Sequence, residues 1–365
     1  MIASPIDTAE LCRHSLMCRH VCPVGNLTRR ETLTPHGWAQ LISLERRGLS
    51  TWNKETVDAL YSCADCGNCR SHCVTSQPLP EAIAAARAEV VVRQAAPPVV
   101  YELEARLREW ENPHVQEKPA PSDDKADVAL FVGDDVHFLR PSVLEAALKL
   151  LAAVGIEPAL IGKGRNTGYL ASSLGLPDLA RNLAGANMDE LKATGARRLL
   201  LLTPGDYFAF VQMYDERLGI SMAPELEVTE VVPFLAVQME AGALRLNESD
   251  DSAAYAYVDP THSVRVAGRH EAPRRLLSAV LQSPPAELFW RNERAYPCGN
   301  LALEFTRPAL SQALTEARLE DALNRGVQGV ITECAGSLVH LDKHAAGFGL
   351  RVQGLYELLA ANLAS

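Results

Sequence analysis

Seven of the nine cysteines in this 365-residue chain fall within its first 73 residues. Cys63, Cys66, Cys69 and Cys73 keep a C-x2-C-x2-C-x3-C spacing. Cys12, Cys18 and Cys22, with Pro23 directly after, form an upstream run of the same type that lacks one cysteine. Thiolates are soft ligands, and cysteines two residues apart let a tight loop cover three corners of a [4Fe–4S] cube while the fourth is reached from elsewhere. The pattern predicts one-electron chemistry on inorganic cores. Zinc also accepts four thiolates and is the alternative for the 63–73 run. For the 12–22 run the alternative is a lost core whose cysteines persist as ordinary buried residues.

Where two such runs occur together, the last cysteine of each ligates the core of the other. Cys22, Cys63, Cys66 and Cys69 then make one complete set for a [4Fe–4S] cluster. Cys12, Cys18 and Cys73 make the second, with Ser15 standing where another cysteine is expected. Three thiolates predict a [3Fe–4S] cluster, or a [4Fe–4S] cluster with one iron open or held by oxygen or imidazole. Ser15 and His14 are the nearby donors.

Short helices must carry these loops. Thr34, Pro35 and Gly37 lead into a helix bearing Leu41, Ile42 and Leu44 that Gly48 stops. Residues 54–60 form a second, with Val57 and Leu60 on one face, and deliver the chain into the Cys63 loop. Helices are expected again over 81–94 and 100–111. Residues 1–112 therefore read as a small α-helical domain whose inorganic cores replace part of a hydrophobic one. A Pro- and Asp-containing linker follows over 113–125.

Beyond it, apolar runs at 128–132, 158–161 and 198–202 alternate with helical stretches at 141–154 and 169–193, the signature of a parallel α/β domain over 126–245. The plan repeats over 253–365. Gly168, Gly195 and Thr203 recur as Gly299, Gly326 and Cys334 at a common offset of 131 residues, which an internal duplication explains. The joint falls near Gly242 and residues 247–252.

Net charge of −10 with no Lys/Arg block argues against nucleic acid as a partner. No stretch reaches the roughly 18 apolar residues of a membrane span. The longest attempt, near 148–160, is broken by Gly155, Glu157 and Pro158. With no secretory leader and cysteines spaced for metals, the expected location is cytoplasmic, with membrane association only through a partner.

Taken together, the sequence resembles the iron–sulfur subunits of heterodisulfide reductase, anaerobic glycerol-3-phosphate dehydrogenase and glycolate oxidase. These join an α-helical two-cluster ferredoxin domain to two cysteine-rich "CCG" domains. The stretches around Phe131, Gly133 and Asp134, around Asn166 and Gly168, and at 203–207 are similar to the first CCG domain. Those at 257–262, 268–277 and 333–337 are similar to the second. The resemblance implies an α-helical ferredoxin-type domain followed by two duplicated α/β CCG-like domains with parallel sheets.

The departures are informative. Where the family carries thiolates, the first CCG-like domain has Asp134, Asn166, Thr167, Thr203 and Asp206. The second has Thr261, Pro297, Cys298, Cys334 and Ser337. Two cysteines are too few for the family's multi-iron centre, so its disulfide-reducing chemistry is not expected here. Asp134 and Asp206, as hard donors, are expected to face solvent or cap a helix. A small metal site of Cys298, Cys334 and His262 is one expectation, with His340 and His344 also near. Inert cysteines or a reactive pair are the others. The resemblance implies electron transfer between a flavoprotein dehydrogenase subunit, which carries the flavin, and an electron-transfer flavoprotein or quinone-linked carrier. A catalytic subunit acting through Cys298 and Cys334, and a non-redox scaffold, are the rival readings.

Overall fold

Proline starts the helices that frame the N-terminal cysteines. Pro23–Thr28, Pro35–Arg46 and Pro98–Trp110 each begin on one, where the missing N–H has no intrahelical partner to lose. Thr34 caps the second by accepting from the Gly37 N–H, and Asn53 with Thr56 forms a capping box on Lys54–Leu60. Leu79–Val92 completes the group. In this computed structural model residues 4–122, 124–262, 265 and 269–364 are described. Gly268, part of the resemblance above, lies outside them.

Two four-stranded parallel sheets follow. The first comprises β1 (Val128–Gly133), β2 (Ala159–Lys163), β3 (Arg198–Leu201) and β4 (Glu227–Glu230), in the order β2-β1-β3-β4. The second comprises β5 (Tyr255–Tyr257), β6 (Ala286–Glu287), β7 (Gly329–Thr332) and β8 (Arg351–Gly354), in the order β6-β5-β7-β8. The strand order is the same in both, as a duplication requires. Central strands β1 and β3 are buried on both faces, which is why they read as unbroken apolar runs.

The repeat extends to backbone detail. Gly168 and Gly299 have φ of +89° and +90°, and an added Cβ would lie 2.6 Å from the Ala180 carbonyl and 2.5 Å from that of Ser311. Each turn therefore needs glycine both for its conformation and for the close approach of a long helix, Pro177–Thr194 in the first unit and Pro308–Leu323 in the second.

One apolar core runs without a break from Trp38, Ile42, Leu60 and Ile83 of the helical region to Phe131, Leu174 and Phe210 of the first α/β unit. A second joins the two α/β units through the helices Pro141–Ala153, Val231–Glu240, Glu271–Val280 and Leu355–Ala361. Polar ties reinforce the first junction. Arg217 donates to both carboxylate oxygens of Asp65 at 3.0 and 2.9 Å, and the Tyr61 hydroxyl donates to the Leu174 carbonyl at 2.9 Å. Among the described residues no helix is long and apolar enough to cross a membrane.

Candidate functional site

Cys22, Cys63, Cys66 and Cys69 line one small cavity, together with Val24, Pro35 and Trp38. Positive φ at Asp65 (48°) and Gly67 (75°) bends the loop so that its three cysteines face inward. Cys22 arrives from the N-cap of Pro23–Thr28. Backbone N–H groups point at sulfur: Gly25 to Cys22 and Asp65 to Cys63, both at 3.4 Å. Arg87, 1% exposed, donates to the carbonyls of Leu60 (2.7 Å), Cys63 (2.9 Å) and Ser173 (2.6 Å). Burial pushes the Cys63 thiol up to about 12 and those of Cys22 and Cys69 well above the ordinary value, so ionised sulfur here needs a compensating metal charge.

The second α/β unit closes over this loop. Asn68 donates to the carbonyls of Val21 and Ala295, both at 3.2 Å, and Asn26 donates to the Tyr296 hydroxyl at 2.5 Å. Arg265 reaches the Asn68 side chain and the Ala295 carbonyl.

A second cavity is lined by Cys12, Cys18, Cys69 and Cys73 with Pro35, His36, Ala39, Gln77 and Leu79. Pro35 and Cys69 thus stand between the two cavities. Burial, then the neighbouring Cys12, raises the Cys18 thiol to about 11. At Cys73 burial is outweighed by hydrogen bonds from the Thr75 hydroxyl and nearby backbone, and its value falls. This second cavity lies nearer the surface, and the exposed Leu11, Leu16, Met17 and Val74 flank its cysteines along the chain.

His14 and Ser15, the donors expected beside this set, are exposed and do not line the cavity. His36 does. Its Nδ1 lies 3.0 Å from Thr34 Oγ1. Spacing from the cysteines gave no hint of it, because Pro35–Arg46 brings its first turn back onto Cys18 across the intervening Pro23–Thr28 helix. The one available signal was a histidine at a proline-initiated helix start.

A third cavity, about 100 Å³, opens where β1, β3, β5 and β7 end, between the two α/β units. It gathers Asp134, Asn166, Thr203 and Asp206 from one unit and Thr261, Pro297, Cys298, Cys334 and Ser337 from the other. Asp134 and Asp206 face this space, contrary to the expectation that they meet solvent or cap a helix. The cap on Pro204–Phe208 is Thr203, whose hydroxyl also donates to Asp206 at 2.8 Å. Burial, then the adjacent Asp135, raises Asp134 to about 6.

Cys298, Cys334 and His262 all border this cavity without converging into a ligand set. Among the described residues the one group of three metal-type donors within 4.8 Å of each other is His114, Asp134 and Asp135, of which the sequence had singled out Asp134 alone. The His262 Nε2 is 2.8 Å from the Tyr169 hydroxyl, and burial brings His262 down to about 4. His340 faces Glu304 at 2.8 Å. Burial also lifts the Cys334 thiol to about 12. The Ser337 side chain hydrogen-bonds to both Cys298 and Cys334.

Residues 11–76 match a family described as a 4Fe-4S dicluster domain. Over 327 residues the chain is 25% identical to one subunit of the dihydromethanophenazine:CoB--CoM heterodisulfide reductase of Methanosarcina barkeri, spanning 85% of this chain and 79% of that protein. A probable membrane-anchored ferredoxin of Chromohalobacter salexigens is 24% identical over 349 residues, 90% of this chain and 51% of that one. A hypothetical protein from Helicobacter pylori shares the fold with a TM-score of 0.65 at 11% identity, covering 100% of this chain and 73% of its own. The N-terminal region is thus an iron–sulfur-type domain, and the chain is a distant relative of the heterodisulfide reductase polypeptide it matches. The glycolate oxidase and glycerol-3-phosphate dehydrogenase proteins are not singled out.

Proposed function

We propose that this chain is the iron–sulfur electron-transfer subunit of an oxidoreductase complex of the heterodisulfide reductase type, passing single electrons between a flavoprotein partner and a downstream carrier. In this reading residues 1–112 carry the clusters, 113–125 link them to the rest, and the α/β domains at 126–245 and 253–365 form a docking platform. Cys22, Cys63, Cys66 and Cys69 would hold a [4Fe–4S] cluster, and Cys12, Cys18 and Cys73 three corners of a second. Such clusters take and give one electron with no substrate bond made or broken.

The observation that carries the proposal is the spacing of sulfur. A single tetrahedral ion with bonds of about 2.3 Å gathers its thiolates to about 3.8 Å of one another. Among the described residues no three cysteine sulfurs lie within 4.8 Å of each other, although four share a cavity. Ligands spread this way fit the corners of a larger core. The wall shared by the cavities keeps the two cores adjacent, and the cysteines of the shallower one are flanked in the chain by the exposed Leu11, Leu16, Met17 and Val74. The redox partner meets the chain there. An electron-transfer flavoprotein or a quinone-linked protein is the carrier on the other side, the flavin belongs to the partner, and the complex is cytoplasmic, with any membrane contact made through a partner. A catalytic role for Cys298 and Cys334 gains no support from a cavity in which His262 is paired with Tyr169 and the third group beside both thiols is the Ser337 hydroxyl.

An iron and acid-labile sulfide count on anaerobically purified protein, with electron paramagnetic resonance of oxidised and reduced samples, tests this. Two clusters that change on reduction are expected. One cluster, zinc, or signals indifferent to reductant would overturn it.

A further inference from the structure

We propose that His36 Nε2 is the fourth protein ligand of the cluster held by Cys12, Cys18 and Cys73, making it a [4Fe–4S] cluster with three thiolates and one imidazole. This rests on the two-cluster reading above and goes beyond it by filling the corner that the cysteines leave open.

Three observations converge on His36. The residue lines the cavity that Cys12, Cys18 and Cys73 share, and its side chain is only 15% exposed. Its backbone N–H lies toward the Cys18 thiol and is the weakest of the influences that set that thiol's value. The hydrogen bonding also fixes the tautomer that ligation needs. Thr34 Oγ1 lies 2.6 Å from the Glu31 carbonyl, which can only accept, so the hydroxyl proton is committed there. Toward His36 Nδ1, 3.0 Å away, the same oxygen must then accept, and Nδ1 carries the hydrogen. The Glu31 carboxylate, 4.0 Å from Nδ1, favours the same arrangement. Nε2 is left with a bare lone pair and, among the described residues, no hydrogen-bond partner.

Metal-bound histidines are oriented in this way, one ring nitrogen held by a hydroxyl or carboxylate while the other meets the metal. Neutral imidazole is also a suitable donor for iron. His14 and Ser15 offer no comparable case: both are exposed, and neither lines the cavity.

The test uses the full chain, purified anaerobically with natural-abundance and 15N-labelled histidine. Pulsed paramagnetic resonance of the reduced protein should show nitrogen coupling to one of two [4Fe–4S] clusters, with the isotope shift of histidine. His36→Ala should abolish that coupling and yield an oxidised [3Fe–4S] signal through loss of one iron. His36→Cys should keep all the iron while abolishing the coupling, which separates ligation from a folding defect. A wild-type [3Fe–4S] signal, or a nitrogen coupling that survives His36→Ala, would overturn the assignment while leaving the two-cluster reading intact. A wild-type protein with one cluster or zinc would overturn both.

Discussion

Arg87 is a fully buried cation whose hydrogen bonds go to carbonyls and a hydroxyl. Among the described residues it forms no ion pair. A buried charge without a direct ion pair is costly; Arg87 lies over the Tyr61 ring at 5.0 Å and, against the burial that raises them, its field lowers both the Asp65 carboxyl and the Cys63 thiol, whose carbonyl it holds. Arg87→Met should lower the midpoint potential of the cluster on Cys22, Cys63, Cys66 and Cys69 by on the order of tens of millivolts, whereas Arg87→Lys should preserve most of it. A redox titration followed by paramagnetic resonance decides, and equal potentials in folded wild type and Arg87→Met would refute the role. Thr34 serves both its helix and His36. Thr34→Val removes the cap at a cost of about 1 kcal/mol and frees the His36 ring to rotate, so chemical denaturation should show the loss and the nitrogen coupling should broaden.

The repeated glycine turns set a prediction for the α/β elements. Gly168→Ala and Gly299→Ala force a methyl group, at positive φ, into the backbone of Pro177–Thr194 and Pro308–Leu323 respectively, and each should cost about 1–3 kcal/mol in denaturant melts. A neutral result at either position would mean that its turn can rearrange. Elements of this kind were legible because local chemistry declares them. The apolar runs at 128–132 and 198–202, the Lys54–Leu60 helix and the recurrence of Gly168 as Gly299 all depend on residues close in sequence. What stayed hidden depends on folding back. His36 reaches the Cys18 cavity only because a proline starts a helix there, and Asp134 meets His114 across a linker that composition reads as mere connection. His14 and Ser15 stood out by their distance along the chain, which says nothing about whether a side chain faces in or out.

At the scale of the molecule, the helical region and the first α/β unit share one core and the buried pairing of Arg217 with Asp65 and, at 3.6 Å, with Glu81. Arg217→Met would strand the Asp65 carboxylate and should destabilise the whole chain by about 3–5 kcal/mol, read as a lower melting temperature for both regions together. Separate transitions would contradict a shared core. Glu333, buried and hydrogen-bonded by Tyr257, is raised to about 8, chiefly by burial. The unfolded chain releases this proton near the ordinary carboxylate value while the folded chain keeps it, so stability falls as pH rises toward 8 and levels off above. Glu333→Gln should therefore gain on the order of 2 kcal/mol at pH 9 and almost nothing at pH 4. The lid that Ala295 and Tyr296 place over the Cys66 loop has a consequence for biogenesis. These residues come from the last third of the chain, so the part made last packs over the thiol loop made first. Cluster insertion and docking of the last third are thereby coupled, and apoprotein should take up iron and sulfide faster in mild denaturant, which loosens that docking, than in its absence.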